Sequence, residues 1–142
     1  MMIRRMQIAW LLLLACSCST IAPYSQTAYQ QVTALKAEAL LLMDKAAQPY
    51  AQHKAAAEKV RLDIETAYEY AKGRPKNVLS TRQWEIVRDP AGHSLGGFLK
   101  RWETEGPLNA AFVKDARKLI SDQLDTISGL EIGKPTPNKN TP

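Results

Sequence analysis

A serine flanked by glycines is the residue in this chain whose surroundings most resemble a chemical motif. Residues 92–97 read Gly-His-Ser-Leu-Gly-Gly, so Ser94 stands in the pattern G-x-S-x-G. Such a serine acts as a nucleophile when a strand delivers it on a strained turn into a helix and a later histidine serves as its base. Here Asp89 and Pro90 occupy the place of the strand end, and no histidine follows Ser94. The pattern therefore predicts a turn in which Ser94 caps a helix, and an esterase at Ser94 is only a remote alternative.

The other residues suited to catalysis or metal binding are few and scattered. The chain has two histidines, His53 and His93, and two cysteines, Cys16 and Cys18. Their spacing does not match the ligand sets of zinc sites, and no glycine-rich phosphate loop or paired-carboxylate site stands out. We therefore expect no metal, no cofactor and no enzymatic activity. With no cysteine after Cys18, a disulfide framework is also excluded.

Length and charge further limit the number of domains and the kinds of partner that the protein can have. The chain has 142 residues, enough for one domain. Nineteen Lys and Arg against fourteen Asp and Glu give a net charge of +5, but two of the arginines, Arg4 and Arg5, lie in a segment that we expect to be removed. The remaining 127 residues from Cys16 onward carry a net charge of +3. So small a bias argues against nucleic acid as a partner.

The first fifteen residues have the composition of an export signal. Arg4 and Arg5 form a positive start, and residues 8–14 form a continuous apolar run. The run is shorter than the roughly 20 apolar residues that span a bilayer, which is typical of a secretory signal peptide. We interpret residues 1–15 in this way.

The end of that signal, Leu13-Leu14-Ala15-Cys16, resembles the bacterial lipobox. The resemblance implies cleavage before Cys16, a diacylglycerol on its Sγ and acylation of the new amino group, and several acyl chains hold a protein stably on a membrane. Because Ser17 is not Asp, it also implies the outer membrane, with the domain facing the periplasm. A cleaved soluble protein, an uncleaved anchor and lipidation at Cys18 remain as alternatives.

The mature chain is predicted to be helical almost throughout. Residues 16–26 are expected to be the lipidated cysteine and a tether, residues 27–130 a helical domain, and residues 131–142 a disordered tail, since that tail has three prolines and few apolar residues. A long Ala-rich arm over residues 27–72 should kink near Pro49, which interrupts helical hydrogen bonding, or form two helices in line. Because the arm is much longer than the last helix, the two short helices, a fold-back at Pro49 or another chain must cover its excess length. Three shorter helices follow, at residues 80–88, 95–105 and 108–128. Ser80 and Gln83 have the spacing of a capping box, which predicts that Ser80 caps the first of these helices.

Apolar positions recur along the arm with the three-and-four spacing of an amphipathic helix or coiled coil. Two series define its predicted inner face, and within each series the members lie seven residues apart. The first is Val32, Ala39, Ala46, His53, Val60 and Ala67, and the second is Met43, Tyr50, Ala57, Ile64 and Ala71. The later helices supply the larger partners Trp84, Ile86, Phe98, Trp102, Phe112, Ala116, Leu119 and Ile127. Small residues on one side allow aromatic rings to pack from the other. This pattern predicts an all-α fold, either an antiparallel helical hairpin or a small helix bundle.

These observations favour a lipid-anchored envelope protein that acts as a structural or protein-interaction module. The membrane is the partner expected through Cys16, together with a protein partner that the sequence does not identify. An accessory or inhibitor lipoprotein that binds a secreted enzyme or an assembly component is the alternative. The basic pair Lys100 and Arg101 could contact a phosphate or headgroup, but beside Trp102 it is more typical of a helix whose tryptophan is in the core.

Overall fold

A computed structural model describes residues 21–136, which form five α-helices and contain no strand. The helices are α1 (Gln26–Met43), α2 (Lys54–Gly73), α3 (Val78–Arg88), α4 (Leu95–Glu105) and α5 (Ala110–Ile132), with a short 3-10 turn at Tyr50–Gln52. The predicted all-α fold and small helix bundle are confirmed.

The helices form four antiparallel legs, in which α3 and α4 together make up the third. α1 packs against α2 and α5, and α3 packs against the same two helices. Contacts at both ends of α1 show that α5 runs antiparallel to it. Ser25, before the start of α1, donates through its N–H to Glu131 near the end of α5. Asp44, after the end of α1, pairs with Arg117 near the start of α5. This is the up-down-up-down arrangement that short connections favour.

The Ala-rich arm breaks near Pro49 as expected, but the break is a reversal of direction and not a kink within one helix. α1 ends at Met43, turns and the 3-10 segment follow, and α2 begins at Lys54. Pro49 has no backbone N–H to continue a helix, and the Ala46 carbonyl accepts a hydrogen bond from Leu108 N at 2.8 Å, which ties the turn to the start of the last leg. Folding the arm in two gives it a length that matches its partners.

Both predicted series of the arm are buried in spite of this reversal, except for the half-buried His53. Trp102 is 0% exposed, which confirms its place in the core. Two predicted core residues are on the surface: Ile86 is 50% exposed and Leu119 is 54% exposed. The inner faces are turned away from them, because α3 buries Trp84 and Val87 while α5 buries Ile120, Leu124 and Ile127.

Several predicted helix boundaries are confirmed, and one N-terminal signal is wrong. α2 ends at Gly73, α3 ends at Arg88, and α4 runs over the predicted residues. Ser80, however, does not cap α3, because that helix already begins at Val78 and Ser80 is buried in its first turn. Ser80 belongs instead to a polar cluster at this end of the bundle.

Candidate functional site

The chain enters the described structure along one end of the bundle. Residues 21–25, here called the N-terminal segment, pack on that end: Ala22 is 1% exposed and its N–H donates to the Lys76 carbonyl at 3.0 Å. Tyr24 N donates to the Pro135 carbonyl at 2.8 Å, and the Ser25 hydroxyl accepts from Ala28 N and caps α1. The tether expected over residues 16–26 is therefore part of the bundle from Ala22 onward, because the backbone N–H groups of Ala22 and Tyr24 donate to it.

Glu131, near the end of α5, holds this segment through a buried ionic cluster. Its carboxylate accepts hydrogen bonds from Ser25 N at 2.6 Å, from Arg74 Nη1 at 3.1 Å and from Lys134 Nζ at 2.5 Å. Glu131 and Lys134 are only 3% and 6% exposed. Charges this deeply buried are tolerated when they are paired and fully hydrogen-bonded, and this carboxylate has both.

The same cluster joins the start of α3 to the end of α5. Lys134 Nζ also donates to Asn77 Oδ1 at 2.6 Å and to Ser80 Oγ at 3.0 Å. Asn77 Nδ2 in turn donates to the Ala71 carbonyl at 2.8 Å, which satisfies one of the free carbonyls at the end of α2. Ser80 Oγ thus accepts a hydrogen bond from a buried ammonium group, and Ser80 does not cap the helix.

The arginine of the cluster reaches the N-terminal segment from the opposite side. Arg74 Nη2 donates to the Pro23 carbonyl, and its guanidinium lies 5.8 Å from the Tyr70 ring centroid. The Tyr70 hydroxyl is 2.8 Å from Ser25 Oγ. Four parts of the chain, namely the N-terminal segment, the α2–α3 loop, α3 and α5, therefore meet around one carboxylate.

The first part of the predicted tail belongs to this cluster. The sequence places a disordered tail over residues 131–142, but α5 continues through Ile132 and both Glu131 and Lys134 are buried. The prediction is wrong for residues 131–136 because a polar residue can be ordered by partners distant in sequence, here Arg74 and Asn77. Residues 137–142 lie outside the described part of the chain.

An apolar depression lies beside the cluster on the surface of the same end. It has a volume of about 300 Å³, and its apolar lining comes from Ile21, Val78, Leu79 and Leu130. Val78 and Leu79 are both 60% exposed, and Ile21 is 39% exposed. Large apolar side chains grouped on a surface often mark a contact site for a protein or a membrane.

The G-x-S-x-G segment forms the turn before α4, as the sequence predicts, with Ser94 at the N-cap position. The predicted side-chain cap is wrong, because the Ser94 side chain makes no cap hydrogen bond. It is buried, and its hydroxyl donates to the side-chain carbonyl of Gln123 on α5. A Cβ on Gly97 would lie 1.8 Å from the Gly92 carbonyl oxygen, and one on Gly96 would lie 2.4 Å from the Arg88 carbonyl oxygen. The two glycines thus allow the backbone segments to approach closely, and the motif joins α4 to α3 and α5.

Trp102 lies in the core and the basic pair before it lies on the surface, as the sequence predicts. Trp102 Nε1 donates to the Gln48 carbonyl at 2.9 Å, and its ring stacks on His53 with 5.7 Å between centroids. His53 is therefore an edge residue of the core. Lys100 and Arg101 point to solvent, where Arg101 pairs with Glu105 at 2.8 Å and lies over the Phe112 ring.

Charged grooves line other sides of the bundle. One of about 610 Å³ carries Lys114, Arg117 and Lys118 opposite Asp44 and Asp122. Another of the same size, between α2 and α3, contains the pair of Arg88 with Glu65, whose hydrogen bond raises the pKa of the arginine. Both grooves carry charges of both signs, which is typical of a solvated surface with ion pairs.

Within residues 21–136 no group of three His, Cys, Asp or Glu side chains is placed to hold a metal ion. None of the helices in that range is both long and apolar enough to cross a membrane. The lipid-bearing residue expected from the sequence, Cys16, lies outside the described residues, as do Cys18 and the whole predicted signal peptide.

Glu131 and Lys134 were not predicted from the sequence, although the spacing of the buried residues of α5 points to Glu131. The buried residues of α5 are Ile120, Leu124, Ile127 and Glu131, so the glutamate continues an inner face with spacings of three and four. Its polarity and the prolines that follow it outweighed that spacing. No local signal marks Lys134.

No family model, curated protein or solved structure matches this chain. Any statement about function therefore rests on the sequence and the geometry of this chain itself.

Proposed function

We propose that this protein is a lipid-anchored envelope protein, held by acyl chains on Cys16, whose helical bundle serves as a structural or protein-interaction module. The observation that carries the proposal is the sequence Leu13-Leu14-Ala15-Cys16, which follows a positive start and a short apolar run. The membrane assigned by the resemblance is the outer membrane, with the bundle in the periplasm.

The N-terminal segment supports this proposal because it is bonded to the bundle, so an anchor attached to it would also position the bundle. The segment is fixed to the bundle by the ion pairs and hydrogen bonds around Glu131, which are buried. An anchor five residues before Ile21 would therefore hold a defined end of the bundle close to the lipid. A free tether would leave the orientation open.

A module that binds proteins is favoured over an esterase by the position of Ser94. Ser94 is 3% exposed, and its hydroxyl donates to Gln123, an amide that does not act as a base. Comparing the delipidated protein with its Ser94→Ala variant in an esterase assay tests this choice, and equal background rates are expected. Hydrolysis that Ser94→Ala abolishes would overturn it.

Labelling with palmitate in a bacterial host tests the anchor. The Cys16→Ala variant should take up no label and should leave the membrane fraction or accumulate as precursor. The matched variant Cys18→Ala should be labelled and fractionate as the wild type does. Label that enters Cys16→Ala but is lost in Cys18→Ala would move the lipid to the second cysteine.

Crosslinking in the native envelope followed by mass spectrometry tests the role of the bundle. Partners that are envelope proteins support a structural or interaction module. Recovery of a secreted enzyme or an assembly component instead would favour an accessory or inhibitor lipoprotein.

A further inference from the structure

The apolar depression at the anchored end of the bundle has no covering element among the described residues. Val78 and Leu79 follow one another in the first turn of α3, and each is 60% exposed. Leu130 of α5 and Ile21 of the N-terminal segment complete the apolar lining. The four side chains come from three parts of the chain, so the fold itself creates this surface.

The distance to the proposed anchor limits what this surface can face. Ile21 belongs to the depression, and it lies five positions after Cys16 in the chain. Even a fully extended chain of five residues spans only about 18 Å. With acyl chains on Cys16 in the membrane, the depression is thus held within that distance of the lipid. The other end of α5, a helix of 23 residues, is about 35 Å farther along the bundle.

The charges around the depression suit a lipid surface. Its lining contains the exposed Lys76 and no carboxylate. Lys134 also belongs to the lining, but it is buried and its charge is balanced by Glu131. Arg82 follows Leu79 by three residues on α3, so it lies on the same face, and it is exposed. Apolar side chains with a basic rim are the pattern of surfaces that rest in the interface of a membrane with anionic headgroups.

We propose that this surface, made by Ile21, Val78, Leu79 and Leu130, contacts the lipid bilayer and holds the bundle end-on to the membrane. The inference rests on the proposed anchor at Cys16. Val78 and Leu79 enter the headgroup region, Lys76 and Arg82 face the phosphates, and the far end of the bundle with the end of α1 points away from the lipid and is available to partners.

The lack of cysteines after residue 18 makes a direct test practicable. A Leu79→Cys substitution in a Cys18→Ser background places one reactive thiol on the surface, because Cys16 carries lipid. Leu41→Cys is the matched control: Leu41 is 68% exposed, also on a helix, but it lies near the far end of α1. Each full protein is purified with its anchor, labelled with an environment-sensitive fluorophore and reconstituted into vesicles of phosphatidylethanolamine and phosphatidylglycerol. Nitroxide-labelled lipids in the vesicles quench the fluorophores that they reach.

The expected result is a blue-shifted emission and strong quenching at position 79, with emission retained at position 41. Adding Lys76→Glu and Arg82→Glu to the Leu79→Cys protein should weaken the quenching. Equal quenching at both positions would overturn the end-on orientation. A blue shift at position 79 without quenching would also overturn the proposal, since a second copy of the protein would then cover the surface.

The two proposals fail in different ways in this experiment. A protein that does not remain on the vesicles and carries no acyl mass contradicts the anchor at Cys16. A protein that stays on the vesicles, with position 79 no more quenched than position 41, keeps the anchor and contradicts the docking surface. Circular dichroism of each variant before labelling establishes that the bundle is folded.

Discussion

Glu131 illustrates how one side chain can organise an end of a bundle. It receives a guanidinium, an ammonium and a backbone amide, and the three donors come from different parts of the chain. An ion pair of this kind adds little net stability over an apolar replacement, but removing one partner leaves charge buried without compensation. The cluster therefore matters most for where the N-terminal segment lies.

The Glu131→Gln variant should lose about 3–5 kcal/mol of unfolding free energy, because Arg74 and Lys134 would keep their charges without a carboxylate. Urea denaturation followed by circular dichroism measures the loss. The control Asp125→Asn removes an exposed partner of Lys36, with Asp125 58% exposed, and should cost at most about 1 kcal/mol. Similar losses for the two variants would contradict the role of the buried cluster.

Trp102 makes the second prediction at the level of a residue. Trp102→Ala empties a fully buried site and removes the donor to Gln48, so it should cost about 3–5 kcal/mol. Thermal melting followed by circular dichroism measures this effect. Leu62→Ala, at a side chain that is 65% exposed, should change the free energy of unfolding by no more than about 0.5 kcal/mol. An unchanged melting curve for Trp102→Ala would mean that the ring is not part of the core.

At the scale of the elements, glycines in different helices should respond in opposite ways. In Gly97→Ala the new Cβ would lie 1.8 Å from the Gly92 carbonyl oxygen, so α4 must move and the cost should be about 2–3 kcal/mol. Gly129 lies within α5 with no atom within 4 Å of the Cβ position, and Gly129→Ala should stabilise by about 0.5–1 kcal/mol. Denaturation curves that shift in the same direction for both would refute the close contact at α4.

The end of α5 gives a second test at this scale. A chain that stops after Gly133 lacks Lys134 and Pro135, and so loses the ammonium of the cluster and the carbonyl that accepts from Tyr24. Its melting temperature should fall by on the order of 5 °C. A chain that stops after Thr136 keeps those contacts and should melt as the full chain does. No difference between the two would mean that these contacts do not stabilise the bundle.

The sequence determines the helices and much of the core of this protein, since periodic residues such as Ala39 and Ala57 are buried as their spacing predicts. The sequence was less informative about the direction in which the chain continues after each helix. Pro49 indicates a break, but whether the chain bends or reverses depends on which leg covers the apolar face. The cluster around Glu131 was not predicted because Arg74 lies 57 residues away, and a contact at that separation leaves no local pattern.

At the scale of the whole molecule, both described ends of the chain lie at the same end of the bundle. Tyr24 and Pro135 are joined there by a backbone hydrogen bond, next to the apolar depression. A bundle of four legs produces this arrangement. With an anchor at Cys16, it would leave the opposite end of the molecule farthest from the lipid.

The most direct test of the anchor at Cys16 is the mass of the N-terminal peptide of the protein purified from bacterial membranes. We expect a chain that begins at Cys16 and carries a diacylglycerol on sulfur and an acyl group on the amino nitrogen. Treatment with base should release the ester-linked acyl chains and lower the mass accordingly. A chain that retains Met1, or one that begins elsewhere and has no lipid on Cys16, would contradict the anchor and the orientation inferred from it.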